Sequence, residues 1–207
     1  KPDIDETFKD SDNPISIVKR FSFLKAKKAK KKYKNSFIIS ADTVVYSRKK
    51  IIDKTNNKEI AIENLKKLSG RSHKVYTGLT FISDNNNIYN SITKTIIKFK
   101  NLEEKEILRY IKTEEWKGCA GSYAIQGSAE VFIKFLSGSY SNVVGLPLYE
   151  VNKLIKKYNL YKWKKNTHSQ NLWLQRKKKD NYFIAAKKEG YRSRAAYKLL
   201  EINKILY

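Results

Sequence analysis

Residues 36–46 read SFIISADTVVY and are rich in β-branched and aromatic side chains, which predicts a buried strand. Asp42 interrupts this apolar run. A carboxylate inside a buried strand is costly to leave unpaired, so it is usually hydrogen-bonded, metal-bound or catalytic. The alternative is a carboxylate that caps a turn at the end of the strand. Lys54 follows a predicted hairpin with Ile51 and Ile52 on its return strand, and this hairpin could bring the ammonium back toward Asp42.

Helices and strands alternate on both sides of this segment. The predicted elements are a helix from Asn13-Pro14 onward, a helix over 58–68, strands over 72–83 and 88–99 joined by a turn at 84–87, a helix over 103–111, a strand over 129–136 and a helix over 147–158. Because the alternation is not strictly β-α-β, we expect an α/β domain over 1–160, built on a mixed sheet flanked by helices.

Length and composition limit the class of protein. A chain of 207 residues with 41% hydrophobic side chains can form one large domain, or one medium domain with an appendage. No window approaches the ~18 apolar residues that a membrane-spanning helix needs. A single cysteine excludes an internal disulfide and fits a reducing cytosol, so we expect a cytoplasmic protein without membrane contact. The sequence contains no Met and opens on Lys1-Pro2-Asp3, from which we expect an amino-terminal truncation.

The formal net charge of +24 has two explanations. Excess Lys and Arg can neutralise nucleic-acid phosphates and release counterions. Alternatively, Lys, Asn and Ile are abundant throughout because the gene is AT-rich, and most lysines are then solvated surface. Basic residues are dispersed over 1–160, which favours the compositional explanation there.

Three loops complete the candidate chemistry. Residues 68–73 (LSGRSH) contain a helix-ending Gly, and His73 has no second His or Cys at ligand spacing, so no metal site is predicted there. Residues 120–127 (AGSYAIQG) contain glycines that permit close backbone approach to a ligand. Residues 138–147 (GSYSNVVGLP) allow an anion to lie near a helix amino terminus.

Taken in order, these segments resemble the Maf family of nucleoside triphosphate pyrophosphatases. The matching blocks are DIDE at 3–6, Lys25-Ala26, ADTVV at 41–45, LSGR at 68–71 with His73, Ala120-Gly121, Gln126-Gly127 and GSYSNVVGLP at 138–147. The resemblance covers about residues 1–155. It implies a curved mixed sheet with a cleft between two lobes, related to the inosine triphosphatase architecture.

The resemblance also implies a reaction: water attacks the α-phosphorus of a nucleoside triphosphate, and a divalent cation, Mg²⁺ or Mn²⁺, bridges phosphate oxygens. Monophosphate and pyrophosphate are the products. The expected roles are proton acceptor and metal ligand for Asp42, metal or water positioning for Glu6, neutralisation of phosphate charge for Lys25 and Lys54, and base selection for Thr43 and Gln126.

The AIQG and GSYSNVVGLP blocks resemble the branch of the family that hydrolyses dTTP and UTP, with a house-cleaning role toward non-standard nucleotides. Three features depart from that branch. Thr55 follows Lys54 where Pro is usual, Gly118-Cys119 replaces Asp-Lys, and the family's Ser-x-Arg-Arg phosphate loop has no counterpart in residues 1–207. Because Cys119 is closer to the branch that acts on 7-methyl-GTP, that substrate and modified pyrimidine nucleotides are the alternatives.

The tail differs from the rest of the chain. After a linker at 161–170, residues 171–207 predict a basic helical appendage, and 172–203 resemble the amino-terminal segment of FtsJ-like rRNA 2'-O-methyltransferases. Lys198 matches that family's first catalytic lysine, but the chain carries no cofactor-binding glycine loop, so methyl transfer is not expected. RNA contact is expected instead, and an inactive gene-junction fusion is the alternative. The candidate partners are therefore a nucleoside triphosphate, RNA and a second copy of the chain in a homodimer.

Overall fold

A computed structural model describes residues 13–160, together with Ile4 and Thr7. Residues Lys1–Tyr158 form one compact unit, here called the first unit. The predicted linker at 161–170 and the basic tail lie outside the described residues, as does Glu6. None of the described helices combines the length and the apolar composition of a membrane-spanning segment.

The first unit contains a five-stranded sheet flanked by helices. The helices are α1 (Pro14–Lys32), α2 (Lys58–Leu68), α3 (Glu104–Lys112), α4 (Tyr140–Val144) and α5 (Leu148–Lys157). The strands are β1 (Ile38–Ser47), β2 (Lys50–Ile52), β3 (Ser72–Ile82), β4 (Ile88–Phe99) and β5 (Ile133–Ser137), and single 3-10 turns cover Ala120–Ser122 and Ser128–Phe132. The predicted α/β class is confirmed.

The sheet has the strand order β2-β1-β3-β4-β5, and all four neighbouring pairs among the described strands are antiparallel. A mixed sheet was expected from the alternation of helices and strands. The described strands form no parallel pair. The helix α2 links β2 to β3, which run in the same direction, but β1 lies between these two strands and pairs with both. The β1–β2 and β3–β4 connections are hairpins, and Arg48 and Lys49 form the β1–β2 turn with φ of 50° and 61°. The β4–β5 connection contains α3 and both 3-10 turns.

One predicted element needs a correction. Residues 129–136 were expected to form a strand, but the first part is the 3-10 turn and only Ile133–Ser137 is extended. Ala129 and Phe132 are buried at a spacing of three, whereas Val131 is exposed. The apolar run therefore follows the period of a 3-10 helix before it follows that of a strand.

Helix α1 covers one face of the sheet, here called the α1 face. The Asn13 side chain caps its amino terminus by accepting from the backbone N–H groups of Ile15 and Ser16. Below α1, a Cβ at Gly78 would lie 2.3 Å from the carbonyl oxygen of Val18. Only glycine therefore lets α1 approach β3 this closely.

The opposite face carries the larger core. Val45, Val75 and Ile97 of the three central strands pack there against α2, α3 and the two 3-10 turns. The aromatic rings of Phe99 and Tyr123 meet edge to face in this core, with 4.9 Å between centroids. The sheet is thus enclosed between one long helix and a layer of shorter elements.

Candidate active site

A cleft opens beside β1, where the strand has an exposed edge. β2 pairs only with residues 45–47 of β1, so among the described residues no strand pairs with 38–44 on that side. The cleft has a volume of about 420 Å³. Its walls come from the middle of α1 (Phe21 and Lys25), from β1, from the segment after β2, from the loop at 118–126 and from the carboxyl end of α4.

Five of the six residues predicted to form a site line this cleft. They are Lys25, Asp42, Thr43, Lys54 and Gln126. Glu6 lies outside the described residues. The side chains of Asp42 and Thr43 leave opposite faces of β1 because neighbouring residues alternate along a strand. Both reach the cleft because it wraps around the edge of that strand. The individual roles of the five residues stay predictions.

Asp42 and Lys25 form an ion pair on the α1 face. Lys25 lies on the sheet-facing side of α1, and its Nζ donates a hydrogen bond to Asp42 Oδ1. The two side chains are 8% and 10% exposed. Two charges removed from water to this extent stabilise each other only as a pair. The ammonium therefore holds in place a charged carboxylate, the form that can accept a proton from water.

The segment after β2 adds an acid and a second lysine. Asp53 and Lys54 follow the end of β2 directly, and Asp53 Oδ1 accepts a hydrogen bond from the backbone N–H of Lys54 at 2.7 Å. The carbonyl of Thr55 accepts from Gly118 N at 3.1 Å, which joins this segment to the loop on the other side of the cleft. Sequence reasoning missed Asp53, although its place directly before Lys54 was a usable signal.

Gln126 is exposed, but the loop that carries it is anchored to the core. Tyr110 Oη accepts a hydrogen bond from the backbone N–H of Ala124 at 3.0 Å. On the other flank of Gln126, the carboxylate of Glu115 accepts from both the backbone N–H and the hydroxyl of Ser128, at 2.7 and 2.9 Å. The loop is therefore fixed on both sides of a side chain that remains free to meet a ligand.

Cys119 lines the same cleft as a neutral group. Burial, with a further contribution from the negative charge of Glu115, raises the pKa of the Cys119 thiol. Its Sγ donates a hydrogen bond to the carbonyl of Glu115 at 3.3 Å. The position at which the dTTP/UTP branch is expected to carry a lysine thus carries an uncharged donor.

His73 lies in the core of the opposite face and does not line the cleft. Its Nε2 is 2.8 Å from the hydroxyl of Tyr123, and its ring meets those of Tyr123 and Phe99 edge to face. Burial lowers the pKa of His73 to about 4, so the imidazole is neutral at physiological pH. Its position and partners indicate a packing role.

The described residues contain no group of three or more His, Cys, Asp or Glu side chains that could hold a metal ion. The cleft does contain two carboxylates, Asp42 and Asp53. This donor set fits Mg²⁺, which is usually bound by one or two carboxylates together with substrate phosphates.

Comparisons with known proteins show the family of the chain. A sequence profile of the Maf-like protein family matches residues 1–158. The chain is 43% identical over 159 residues to a dTTP/UTP pyrophosphatase of Rhizobium etli, covering 74% of this chain and 77% of the relative. It is 42% identical over 153 residues to a dTTP/UTP pyrophosphatase of Zymomonas mobilis, with 74% and 76% covered. A protein of Brucella abortus with the same name is 40% identical over 159 residues, with 74% and 76% covered. The chain belongs to the Maf family.

Proposed function

We propose that this protein is a nucleoside triphosphate pyrophosphatase that hydrolyses dTTP and UTP. The observation that carries the proposal is a single cleft lined by the Lys25–Asp42 ion pair, by Lys54 and by Gln126. Relatives that are 40% to 43% identical and carry the name dTTP/UTP pyrophosphatase support the choice of substrate.

The reaction needs a proton acceptor and positive charge. Asp42 accepts a proton from the water whose oxygen forms a bond to the α-phosphorus. The bond between that phosphorus and the oxygen bridging to the β-phosphate breaks, and the electron pair leaves with pyrophosphate. Lys54 offsets the charge that develops on this leaving group. Lys25 holds Asp42 in place and adds positive charge to the same wall.

A divalent cation belongs to this proposal. Asp42 and Asp53 would hold Mg²⁺ or Mn²⁺ together with phosphate oxygens, and Glu6 is a further candidate ligand from outside the described residues. When bound, the cation neutralises phosphate charge and polarises the reacting phosphoryl group.

Selection of the base falls to neutral groups, because the charged groups meet a triphosphate that every nucleotide shares. Gln126 can both donate and accept hydrogen bonds along the edge of a pyrimidine. Thr43 lines the same cleft and offers a hydroxyl group. A buried polar group left without a partner is strongly penalised, so a few such contacts suffice to separate one base from another.

A second substrate has one observation in its favour. Cys119 lines the cleft where a lysine is expected in the dTTP/UTP branch, and its raised thiol pKa keeps it uncharged. Hydrolysis of 7-methyl-GTP is therefore the competing activity, and modified pyrimidine nucleotides form a third class to be compared.

The test is release of pyrophosphate from a panel of dTTP, UTP, CTP, GTP, 7-methyl-GTP and 5-methyl-UTP, each with Mg²⁺ and with Mn²⁺. We expect the highest kcat/KM for dTTP and UTP, and activity that is lost with EDTA. A preference for 7-methyl-GTP would contradict the proposed substrate. If no nucleotide released pyrophosphate, the proposed reaction would be wrong.

The basic tail is proposed to contact RNA through residues such as Arg176, Lys177, Lys178, Lys179 and Arg194. Changing the three consecutive lysines to Gln should weaken binding of single-stranded RNA and reduce its salt dependence. The matched control changes Lys27, Lys28 and Lys31 of α1, which should have a smaller effect. Equal effects would indicate binding by net charge alone. The homodimer stays a prediction that sedimentation equilibrium can test.

A further inference from the structure

A row of neutral polar side chains runs from the cleft into the opposite face of the sheet. The hydroxyl oxygens of Thr43 and Thr77, which are cross-strand partners, lie 2.8 Å apart. The Thr77 hydroxyl donates to the carbonyl oxygen of Asn142 at 2.9 Å. Thr77 and Asn142 have no exposed surface, whereas Thr43 is partly exposed at the cleft. The row therefore connects an accessible hydroxyl to a buried anchor.

The direction of this hydrogen-bonded row is determined at its buried end. A carbonyl oxygen can only accept, and Thr77 has a single hydroxyl proton. That proton goes to Asn142, so Thr77 must accept from Thr43. The proton of Thr43 consequently points away from the cleft, and only lone pairs of its oxygen remain for a ligand.

The backbone carbonyl of Asn142, which accepts from Thr77, is held in place by the hydrogen bonds of the Asn142 side chain. Its Nδ2 donates to the carbonyl of Val75 at 3.2 Å and to Thr95 Oγ1 at 2.9 Å. Thr95 in turn donates to the carbonyl of Ser139 at 3.1 Å, so its hydroxyl proton is also committed. An inverted Asn142 side-chain amide would place its oxygen against the Val75 carbonyl, which is repulsive. Two hydrogen bonds of the side chain therefore fix Asn142 in this position.

The hydroxyl of Thr43 has open space beside it. Gly145, at the end of α4, also lines the cleft, and an added Cβ there would lie 3.6 Å from Thr43 Oγ1. The absence of this side chain leaves room for a ligand group between the helix end and the strand. Gly145 has a φ of 112°, which residues other than glycine rarely adopt.

We propose that Thr77 and Asn142 are positioning residues that fix Thr43 as a hydrogen-bond acceptor, so that the site selects a base with an N–H group at this point. The inference rests on the proposed function and specifies how its base is recognised. Uracil and thymine present the imide N3–H, a donor, whereas cytosine presents a bare ring nitrogen at the same position. Two acceptors facing each other leave both without a partner and disfavour the cytosine nucleotide.

Two variants at one position separate this role from a structural one. Thr77→Val has nearly the same shape but removes the acceptor that holds the Thr43 proton, so the Thr43 hydroxyl becomes free to donate into the cleft. Thr77→Ser keeps that acceptor. Binding is measured with UTP and CTP analogues in which an imido group replaces the oxygen between the α- and β-phosphates, which makes the readout independent of turnover.

We expect the unsubstituted protein to bind the uridine analogue at least about tenfold more tightly than the cytidine analogue. Thr77→Val should reduce this ratio several-fold, Thr77→Ser should retain it, and N3-methylation of the uridine analogue should weaken binding in the unsubstituted protein more than in Thr77→Val. Thermal unfolding verifies that both variants are folded.

Equal binding of the two analogues by the unsubstituted protein would overturn the inference, as would an unchanged ratio in a folded Thr77→Val. If Thr77→Ser also lost the preference for the uridine analogue, the effect would come from packing and not from the hydroxyl acceptor. This result would overturn the inference as well. Absence of pyrophosphate release from UTP, with the binding preference intact, would instead contradict only the proposed function.

Discussion

The two faces of the sheet meet at the cleft with different kinds of polar group. On the α1 face the buried polar contact nearest the cleft is an ion pair, Lys25 with Asp42. On the opposite face the buried groups are neutral, from Thr77 and Asn142 near the cleft to His73 deeper in the core. A single strand, β1, separates the two environments and contributes Asp42 to one and Thr43 to the other.

This difference matches two separate tasks in the proposed reaction. Attraction between charges has little directional preference, and it acts on the triphosphate of any nucleotide. Hydrogen bonds between neutral groups depend on which partner carries the proton, so they distinguish one base from another. The comparison therefore teaches that chemistry and selectivity can be separated by substitution, although the side chains concerned are adjacent in sequence.

The largest effect is expected from Asp42→Asn. This substitution keeps the size of the side chain but removes the proton acceptor, and loss of a general base lowers turnover by on the order of a hundredfold or more. Steady-state kinetics with dTTP measures it. The matched control is Asp84→Asn, the same chemical change at an exposed position in the β3–β4 turn, which should leave kcat unchanged. Near-normal turnover by a folded Asp42→Asn would remove Asp42 from the mechanism.

An effect on stability rather than on turnover is expected from the neutral His73. Its pKa is about 4 in the folded protein and about 6.5 when unfolded, so the unfolded chain binds more protons between these values. The free energy of unfolding should therefore fall as the pH is lowered from about 6.5 to 4, by roughly 3 kcal/mol from this group.

Urea unfolding at several pH values measures this contribution, with His73→Gln as the control. Glutamine does not titrate and can still form a hydrogen bond with Tyr123, and acidic side chains contribute equally to both proteins. The difference between the two curves isolates the imidazole. Parallel curves would show that His73 is protonated at similar pH in the folded and unfolded states.

The packing of α1 against β3 should be sensitive to one added methyl group at Gly78. Gly78→Ala places a Cβ 2.3 Å from the carbonyl oxygen of Val18, and the contact is with backbone that cannot rotate away. Overpacking of this kind costs about 1–3 kcal/mol. Because α1 carries Lys25, turnover should also fall, while the preference for uridine over cytidine nucleotides should remain.

Ser22→Ala serves as the comparison for Gly78→Ala. It removes a 3.0 Å hydrogen bond between α1 and Thr80 without adding an atom, and should cost about 1 kcal/mol or less. Thermal unfolding of both variants measures the difference. If Gly78→Ala is the milder of the two, close approach is not what determines the position of α1.

Sequence reasoning located most elements because their local signals are strong. Asn13-Pro14 starts α1, the predicted helix over 58–68 is α2, and the predicted turn at 84–87 joins β3 to β4. It failed where two periods overlap, as at 129–136. It also predicted a mixed sheet, which the described strands do not form. The order of strands in a sheet depends on contacts between distant segments, and the alternation of helices and strands along the chain does not report these contacts.

The candidate site shows the same limit. Asp42 was conspicuous because an acid within an apolar strand is unusual, and the predicted hairpin placed Lys54 near it. Glu6, Lys25, Thr43 and Gln126 were assigned from a resemblance to a family. Thr77 gave no signal, since a threonine in a strand is ordinary. Asn142 lies within the quoted block at 138–147, but nothing in the sequence distinguished it from its neighbours. The contact between Thr77 and Asn142 joins positions 65 residues apart, and only the folded structure reveals it.

The separation of chemistry from base selection across β1 is tested most directly by comparing Asp42→Asn with Thr43→Val, using kcat/KM for UTP and for CTP. Asp42→Asn should lower both values by the same large factor and leave their ratio unchanged. Thr43→Val should change the ratio by about tenfold while retaining much more turnover than Asp42→Asn. A change of ratio in Asp42→Asn, or an unchanged ratio in a folded Thr43→Val, would contradict the account.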